Sequence, residues 1–388
     1  MQDSRILTAG SLSCDVAVVG SGPGGACAAR ALAASGLHVV ILEKAAALPR
    51  YKTCGGGVLG RAVKLLGISD PPIPHRACRR AEFFLSDELH FCVTREQPIV
   101  LMTMRDSFDQ WLTQKALDAG AQLRINCAVQ DVALQRDCVR LSTSQGEVLA
   151  RFVIAADGAS GPIAKKAGWP DRRRLVPALE CEVAVSPADF DRFSDAARFD
   201  FHPIPHGYAW VFPKESHLSI GVLTHRPSGV NLNDCLARYL EYLRIAPQSV
   251  QRHGYVIPLL PRASYFARRR VLLVGDAAGL ADPVTAEGIT HAIHSGQLAA
   301  AAIIGAFGHE QQVCAAYNKS LSRAVISELR WARPWAHLLY NLPRLRDALF
   351  RRRGQALAEN MTDVVTGQAG YRALSINPLN YLRLLHRG

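Results

Sequence analysis

The chain has 388 residues and a hydrophobic fraction of 49%, which excludes an intrinsically disordered chain and a small scaffold that depends on disulfides. Lys and Arg number 45 against 33 Asp and Glu, so the formal net charge is +12. Ten scattered cysteines without a C-x-x-C pair, an N-terminus unlike a secretory signal and the lack of a long apolar stretch together predict a cytoplasmic protein.

The first predicted unit, over residues 14–42, is a strand, a helix and a second strand. The turn that opens the helix fits G-x-G-x-x-G and reads Gly20-Ser21-Gly22-Pro23-Gly24-Gly25. In this pattern Gly20 permits the tight turn, Gly22 lets backbone N–H groups approach a pyrophosphate, and Gly25 lets the helix pack on the strand. The helix N-terminus adds positive potential, so the unit predicts a dinucleotide site.

The second strand of this unit ends at Glu43, followed by Lys44. A carboxylate here accepts hydrogen bonds from a ribose and disfavours a 2′-phosphate. The motif does not distinguish FAD from NAD, because both present the same ADP half. Two later predicted strands end in Asp157-Gly158 and in Gly275-Asp276-Ala277-Ala278-Gly279. A long cofactor such as FAD needs such a second set of contacts, so these loops favour FAD.

The middle of the chain has a different pattern. Residues 80–100 and 178–258 are rich in Phe, Val, Tyr and His with partial alternation, which is typical of an antiparallel sheet. From residue 308 onward the pattern is helical. The predicted fold class is α/β with α+β character: a Rossmann-like nucleotide-binding domain interrupted by an antiparallel-sheet substrate domain, followed by a C-terminal helical region.

Three segments between residues 14 and 300 resemble signatures of the geranylgeranyl reductase family, in the superfamily of FAD-dependent reductases and hydroxylases that includes para-hydroxybenzoate hydroxylase. They are Pro49-Arg50-Tyr51-Lys52-Thr53-Cys54-Gly55-Gly56-Gly57, like P-R-x-K-x-C-G-G; Tyr208-Ala209-Trp210-Val211-Phe212-Pro213, like Y-x-W-x-F-P; and Arg105 with Phe108-Asp109, like R-x-x-F-D. We expect a discontinuous FAD-binding domain (1–80, 101–177 and 265–307), a substrate domain (81–100 and 178–264) and a helical region (308–388).

The resemblance also implies roles for individual residues. Asp276 holds a ribityl hydroxyl, Arg105 helps to fix FAD, and Gly279, Pro283 and Gly288 shape the loop along the flavin. The expected cofactor-binding residues are Gly20, Gly22, Gly24, Gly25, Glu43, Lys44, Cys54, Gly55, Gly56, Arg105, Asp157, Gly158, Gly275, Asp276, Gly279, Pro283, Gly288 and Ile289.

This loop contains one departure from the family pattern. Where family members carry G-E-G-I, this chain has Ala286-Glu287-Gly288-Ile289, so an alanine occupies a position suited to positive φ. The substitution puts the path of the loop beside the flavin in question.

The expected catalytic residues are Cys54, Tyr208 and Trp210. The resemblance places Cys54 over the flavin, where its thiol can deliver a proton and the flanking Lys52 favours the thiolate. The alternative is that Cys54 is only a small residue in a glycine-rich turn. Tyr208 and Trp210 alternate on one predicted strand and share a face, either as the floor of an apolar pocket or as ordinary core.

The thirteen histidines predict no metal site. His291 and His294 lie three residues apart on a predicted helix without further ligands at suitable spacing, and His202 and His206 are equally unpartnered.

The basic charge is concentrated at the C-terminus. Residues 321–388 contain eleven arginines and four acidic residues, or +7 of the total +12. An apolar stripe at three- and four-residue steps runs beside them: Trp331, Trp335, Leu338, Leu342, Leu345 and Leu349. Such a helix either rests on an anionic membrane surface at the inner face or packs on its own domain with a solvated basic face. No nucleic-acid partner is expected, because no recognised module accompanies the charge.

The resemblance implies an FAD-dependent oxidoreductase that reduces carbon–carbon double bonds of a prenyl or polyprenyl substrate by hydride transfer from reduced flavin. The only other G-x-G-x-x-G, over residues 55–60, does not follow a predicted strand and so gives no second Rossmann site, and the expected electron donor is NAD(P)H bound transiently or a ferredoxin-like protein. Two alternatives stay open. One is an FAD-dependent monooxygenase acting on an aromatic or peptide-borne substrate, and the other is a non-enzymatic flavin-binding redox sensor or membrane-docked partner protein.

Overall fold

The computed structural model describes residues 12–68 and 70–376. The strands are β1 (Leu12–Val19), β2 (Val39–Leu42), β3 (Gly57–Leu59), β4 (His75–Cys78), β5 (Arg80–Phe84), β6 (His90–Thr94), β7 (Val100–Thr103), β8 (Gln122–Arg124), β9 (Val129–Leu134), β10 (Val139–Thr143), β11 (Gly146–Ala155), β12 (Leu175–Ala184), β13 (Ala196–Asp200), β14 (Gly207–Pro213), β15 (Leu218–Thr224), β16 (Ser249–Pro258), β17 (Ala267–Arg268) and β18 (Val271–Leu273).

The helices are α1 (Pro23–Ala34), α2 (Gly60–Leu66), α3 (Arg105–Asp118), α4 (Ile163–Lys166), α5 (Pro187–Asp191), α6 (Leu232–Tyr242), α7 (Gly275–Ala278), α8 (Ile289–Ala306), α9 (Glu310–Leu321), α10 (Ser327–Asn341), α11 (Pro343–Thr366) and α12 (Tyr371–Ile376). A π-helical turn over Ser322–Ile326 joins α9 to α10.

The first sheet has the order β17-β18-β11-β1-β2-β8, with β9 and β10 extending it beside β11. Its central strands β18, β11, β1, β2 and β8 are parallel. Continuous apolar runs form these strands because helices cover both faces, and all four residues of β2 are buried. The carboxyl ends of β1, β2, β11 and β18 meet at one edge, which brings loops that are far apart in sequence to one place. The predicted Rossmann-like sheet is confirmed.

The second sheet has the order β16-β12-β15-β14-β13-β5-β6. It is antiparallel, as predicted, except that β13 and β5 pair in parallel. No hairpin dictates the direction of this pair, because more than 100 residues separate the two strands in sequence. One face of the sheet packs against α6, and the other packs against the tail helices. A small third sheet, β3-β7-β4, completes the β-structure.

The tail is helical, as predicted, but its packing differs from the predicted stripe. Pro343 begins α11, so the stripe is divided between two helices. Trp331, Leu342 and Leu345 are exposed, and none of the six stripe residues is buried. The buried residues of α10 are Leu329, Ala332, Ala336, Leu339 and Tyr340. Arg383 and Arg387 lie outside the described residues.

The tail docks onto the second sheet at a bend in α11. The bend lies at Arg353, where φ is −145° and ψ is 27°. A Cβ atom on the next residue, Gly354, would lie only 1.9 Å from the ring of Phe91 on β6, so a glycine is needed for this approach. Among the residues described, no helix combines the length and the apolar character needed to cross a bilayer.

Candidate active site

A continuous cavity of about 950 Å³ is lined by both large sheets and by the tail helices. One end is formed by the loops at the carboxyl edge of the first sheet. The other end is an apolar chamber formed by the second sheet with α10, α11 and α12. The segment from Cys54 to Gly57 lines the cavity together with both sets of residues.

The glycine turn between β1 and α1 forms the first part of this lining. Gly20 has φ 103°, and a Cβ there would lie 2.4 Å from the carbonyl oxygen of Ala156. A Cβ on Gly25 would lie 2.1 Å from the Gly20 carbonyl oxygen, so the turn packs directly on its own helix. Gly22 is the N-cap of α1 and provides no side-chain cap, which leaves the first backbone N–H groups available to an anion.

Glu43, at the end of β2, is held by this turn. Its Oε2 accepts hydrogen bonds from Ser21 N at 3.0 Å and Ser21 Oγ at 2.7 Å, and its Oε1 accepts one from Ala45 N at 2.9 Å. Burial opposes ionisation, but these donors and the nearby Arg50 outweigh it and lower the pKa of Glu43. Glu43 is therefore an ionised carboxylate on the cavity wall.

An ion-pair network continues from Glu43 along the cavity. Arg50 Nε lies 3.4 Å from Glu43 Oε2, and Arg50 Nη2 lies 3.4 Å from Asp109 Oδ2. Arg105, the first residue of α3, donates to both carboxylate oxygens of Asp109 at 2.8 and 2.9 Å. The two arginines therefore share one buried carboxylate. Arg50 and Asp109 were not predicted as site residues, although both lie within the motifs that carried the resemblance.

The second set of loops places two further carboxylates on the cavity wall. Asp157 follows β11, and its Oδ2 accepts a hydrogen bond from Ile163 N at 2.9 Å. Its Oδ1 is buried and has no hydrogen-bond partner in the described protein, and burial raises the pKa of this carboxyl group. Asp276, at the start of α7, accepts a hydrogen bond from Tyr255 Oη at 3.2 Å. A polar ligand between these loops would satisfy the free oxygen of Asp157.

The loop from Asp282 to Gly288 forms the side of the cavity. Asp282 N donates to Glu287 O at 2.9 Å, and Ala286 adopts φ 57°. The alanine therefore keeps the left-handed conformation that the family pattern assigns to glycine. Gly288 is the N-cap of the 18-residue helix α8, and both Gly288 and Ile289 line the cavity.

Two neighbouring elements fix this loop through Asp282, which is fully buried. Tyr371 Oη on α12 lies 3.1 and 3.0 Å from its two carboxylate oxygens. Arg61 on α2 lies 3.4 Å from Asp282 Oδ2 and 3.2 Å from Glu287 Oε2. The loop is thus anchored from α2 and from the tail at the same time.

The turn around Cys54 is held against the second sheet. Lys214, which follows β14, is only 1% exposed, and its Nζ donates to Gly55 O at 2.5 Å and to Thr103 O at 3.0 Å. Lys52 Nζ lies 3.1 Å from the centroid of the Tyr255 ring. Burial, followed by the charge of Arg105, lowers the pKa of Lys52 to about 8.

The apolar chamber begins directly beyond this turn. Tyr208 and Trp210 are both buried on one face of β14, with ring centroids 5.9 Å apart, and Tyr208 Oη donates to Thr285 O at 2.6 Å. Aromatic and aliphatic side chains from both the sheet and the tail complete the lining: Phe83, Phe199, Phe201, Phe212, Leu339, Tyr340, Met361, Val364, Val365 and Leu374.

Comparison with known proteins places this arrangement in a family. A model of the FAD binding domain matches residues 13–217. The digeranylgeranylglycerophospholipid reductase 1 of Methanopyrus kandleri is 33% identical over 305 residues, covering 74% of this chain and 79% of the relative. The geranylgeranyl diphosphate reductase of Rhodobacter capsulatus is 32% identical, with 74% of each chain covered. The chain belongs to the geranylgeranyl reductase family of FAD-dependent oxidoreductases.

Solved structures agree with this assignment. A crystal structure of a geranylgeranyl bacteriochlorophyll reductase-like protein from Thermoplasma acidophilum covers 97% of this chain and 96% of its own length, with a TM-score of 0.79 and 25% identity. Flavin-dependent halogenases share the fold at lower identity, and that similarity concerns the fold alone. The cofactor of this geranylgeranyl reductase family member is FAD, and the free α1 N-terminus, the glycine turn and the unpartnered Asp157 oxygen fit such a ligand.

Most of the predicted site residues of this flavoprotein lie together. Fifteen of the expected cofactor-binding residues line the cavity, as do Tyr208 and Trp210. Gly25, Gly279 and Pro283 do not line it. Gly25 packs α1 on the glycine turn. Gly279 has φ 75°, and a Cβ there would lie 2.2 Å from the carbonyl oxygen of Leu260. These two glycines shape the backbone behind the site.

The chamber wall contributed by the tail was not predicted. In α11 the lining residues Met361, Thr362, Val364 and Val365 follow a helical spacing that predicts a buried face, but the exposed stripe gave the stronger signal. No group of three or more His, Cys, Asp or Glu side chains suited to a metal ion occurs within the described ranges.

Proposed function

We propose that this flavoprotein reduces carbon–carbon double bonds in a prenyl or polyprenyl chain. The observation that supports this function best is the continuity of one cavity from the dinucleotide loops to an apolar, aromatic chamber, with the Cys54 turn lining it between them. A long hydrocarbon can occupy the chamber without burying unpaired polar groups. The matched relatives are named as reductases of geranylgeranyl compounds, which supports the same substrate class.

In this proposal the residues of the chain have distinct roles. When bound, reduced FAD supplies a hydride to one alkene carbon. Cys54 delivers a proton from its Sγ to the other carbon, and Tyr208 and Trp210 hold the chain beside it. The glycine turn, Glu43, Arg105 and the Asp157 and Asp276 loops hold the cofactor; the remaining lining excludes water from the reacting atoms.

The product mass tests the proposed reaction. The dithionite-reduced enzyme is incubated without oxygen with a geranylgeranyl lipid, and each reduced double bond adds two hydrogens to the product. Cys54→Ser is expected to keep bound FAD and to lose most of the rate, since its hydroxyl is a much weaker acid than a thiol. An unchanged lipid across geranylgeranyl phospholipids, diphosphates and quinones would refute the reductase function.

A monooxygenase remains the second candidate because hydroxylases share the superfamily fold. It would consume oxygen and add one oxygen atom to an aromatic or peptide-borne substrate. The same incubation with NADPH in air separates the two functions by product mass.

We also propose that electrons reach the flavin from NAD(P)H or from a ferredoxin-like protein. The only other G-x-G-x-x-G, over residues 55–60, does not follow a strand as a dinucleotide motif does, which supports a donor that binds only transiently. Anaerobic mixing with NADPH, NADH or reduced ferredoxin, followed through the flavin absorbance, identifies which of them reduces the protein.

We further propose that the outer face of α10 and α11 rests on an anionic membrane. Trp331 is 36% and Leu345 50% exposed, and arginines flank them in sequence. This combination suits the interface of a bilayer that carries negative headgroups. Trp335 and Leu339 on the same α10 line the apolar chamber, so a lipid chain leaving the bilayer would meet the chamber nearby.

Sedimentation with vesicles tests the membrane contact. The protein should sediment with phosphatidylglycerol vesicles and remain in solution with phosphatidylcholine vesicles. The double variant Trp331→Ser with Leu345→Ser should lose most of this binding, whereas Leu175→Ser, which changes an exposed leucine on β12, should keep it. Equal behaviour of the two variants would contradict the proposed surface.

A further inference from the structure

A buried carboxylate stands on the cavity face of the second sheet. Side chains alternate along β12: Cys181 and Val183 pack toward α6, whereas Ala178 and Glu180 line the cavity. Glu180 is only 2% exposed. A glutamate is rarely buried to this extent unless it is paired or functional, so its environment requires an explanation.

One oxygen of Glu180 is engaged and the other is free. Oε1 accepts a hydrogen bond from Ser219 Oγ at 2.6 Å, while Oε2 is buried and has no hydrogen-bond partner in the described protein. Gly221 separates Glu180 from Trp210 across the sheet, and the Trp210 ring covers it, because a Cβ on Gly221 would lie 2.2 Å from the indole. Glu180 therefore stands beside the aromatic floor of the chamber.

The same carboxylate faces the Cys54 turn. The turn lies beside the same aromatic side chain, because a Cβ on Gly55 would lie 3.2 Å from the Trp210 indole nitrogen, and the Cys54 backbone N–H favours the ionised form of Glu180. Lys214 donates a hydrogen bond to the carbonyl of Gly55. Two buried ionisable side chains, Glu180 and Lys214, thus lie beside the same turn. This arrangement fixes the backbone of the Cys54 turn beside an ionisable group that is screened from bulk water.

Burial controls the protonation of this group. Burial, followed by the charge of Glu182, raises the pKa of Glu180 to about 7, against the opposing effects of Ser219, Lys214 and Cys54. Other titratable groups around it are His253, directly opposite on β16, and Tyr51, which stacks on His253 with ring centroids 4.2 Å apart. Near neutral pH the carboxyl group therefore holds a proton in a substantial part of the molecules.

We propose that Glu180 resupplies the proton that Cys54 gives to the substrate. This inference rests on the proposed reductase function. In each cycle the hydride from reduced flavin provides both electrons and one hydrogen, and the Cys54 S–H bond breaks to provide the second hydrogen as a proton. The resulting thiolate takes the proton of the Glu180 carboxyl group. Glu180 then regains a proton from solvent on the side of β16, where His253 faces it.

The variant Glu180→Gln tests this role, because it keeps the side-chain shape and the hydrogen bond to Ser219 but has no proton to donate. The rates of its first and later turnovers are compared with those of the wild type. A protonated Cys54 supports the first turnover of dithionite-reduced enzyme, so its rate should stay within about threefold of the wild type. The steady-state rate should fall about ten- to hundredfold. The wild-type steady-state rate should decline as the pH rises through 7, because only the protonated carboxyl group donates. This pH-dependent limb of the rate profile should be absent from the variant.

Two further variants complete the experiment. Glu180→Asp keeps an acid and should recover part of the steady-state rate together with the pH-dependent limb. Glu215→Gln changes an exposed glutamate beside Lys214 and should behave as the wild type. If Glu180→Gln slows the first turnover as much as later ones, or changes neither, Glu180 does not supply the proton.

Wild-type measurements still test the inference if the Glu180 variant does not bind FAD. If Glu180→Gln does not retain FAD, the wild-type pH profiles of the first and later turnovers decide the question, and identical profiles would overturn the inference. If the wild type forms no reduced lipid at all, the proposed reductase function fails instead, independently of Glu180.

Discussion

The strained alanine in the flavin loop offers a direct test of the backbone geometry. Ala286 adopts φ 57°, a left-handed conformation that an L-residue with a Cβ occupies at a cost of about 1–2 kcal/mol. Glycine removes this cost but adds about 0.5–1 kcal/mol of backbone entropy to the unfolded chain. Ala286→Gly should therefore stabilise the protein by about 0.5–1 kcal/mol.

The matched control is Ala281→Gly, in the same loop region. Ala281 is 1% exposed and is not among the described non-glycine residues with positive φ. Its replacement loses a buried methyl group worth about 0.8 kcal/mol and adds the same unfolded-state entropy. The control should therefore be destabilised by about 1–2 kcal/mol.

Thermal unfolding of the FAD-bound proteins, followed by flavin fluorescence and by circular dichroism, measures both changes. Ala286→Gly should raise the midpoint by about 1–3 °C, and Ala281→Gly should lower it. A midpoint for Ala286→Gly at or below that of the wild type, with the control lowered, would show that the loop does not strain the alanine.

Three other predictions concern the anchors of the site. Tyr371→Phe leaves buried Asp282 without its hydroxyl donor and should cost about 1–3 kcal/mol in chemical unfolding, whereas Tyr242→Phe, which loses a bond to Asp87 at the surface, should cost less than about 0.5 kcal/mol. Similar costs would argue against the anchor. Gly20→Ala should abolish FAD binding because its Cβ would meet Ala156 O at 2.4 Å, whereas Gly36→Ala, at φ 86° with no atom within 4 Å, should bind FAD normally when titrated with the cofactor. The pKa of Glu43 lies below its ordinary value of 4.5, so its stabilising contribution is present above that pH and is lost as the pH falls through the folded-state pKa. The free energy of unfolding of the wild type should therefore fall more steeply below about pH 4.5 than that of Glu43→Gln, and parallel curves would contradict this assignment.

Local sequence predicted the parts of the site that depend on short-range geometry. The motif assigned a tight turn to Gly20, and φ there is 103°, a value that favours glycine. The parallel strands followed from continuous apolar runs, and their shared edge brought Asp157 and Asp276 into one cavity. The departure at Ala286 left the path of the loop open in the sequence, and the structure shows that this alanine keeps the left-handed conformation expected of a glycine.

The sequence patterns did not predict contacts between segments that are far apart in the chain. Glu180 and Lys214 reach the Cys54 turn across more than 120 residues, and alternation along β12 indicates a face without indicating what covers it. The tail shows the same limit, because half of its most regular apolar stripe is exposed and none of it is buried, while less regular residues such as Met361 line the chamber. Tertiary packing decided which of two helical faces was buried.

Two distant helices contact Asp282, and this affects how chimeras between relatives can be built. Arg61 from α2 and Tyr371 from α12 meet on this single carboxylate, so the loop beside the flavin is shaped by both ends of the chain. A chimera that transplants the chamber without α12, or the tail without α2, would separate these partners. A graft that keeps the contacts of this loop therefore has to include α2, residues 282–288 and α12 together.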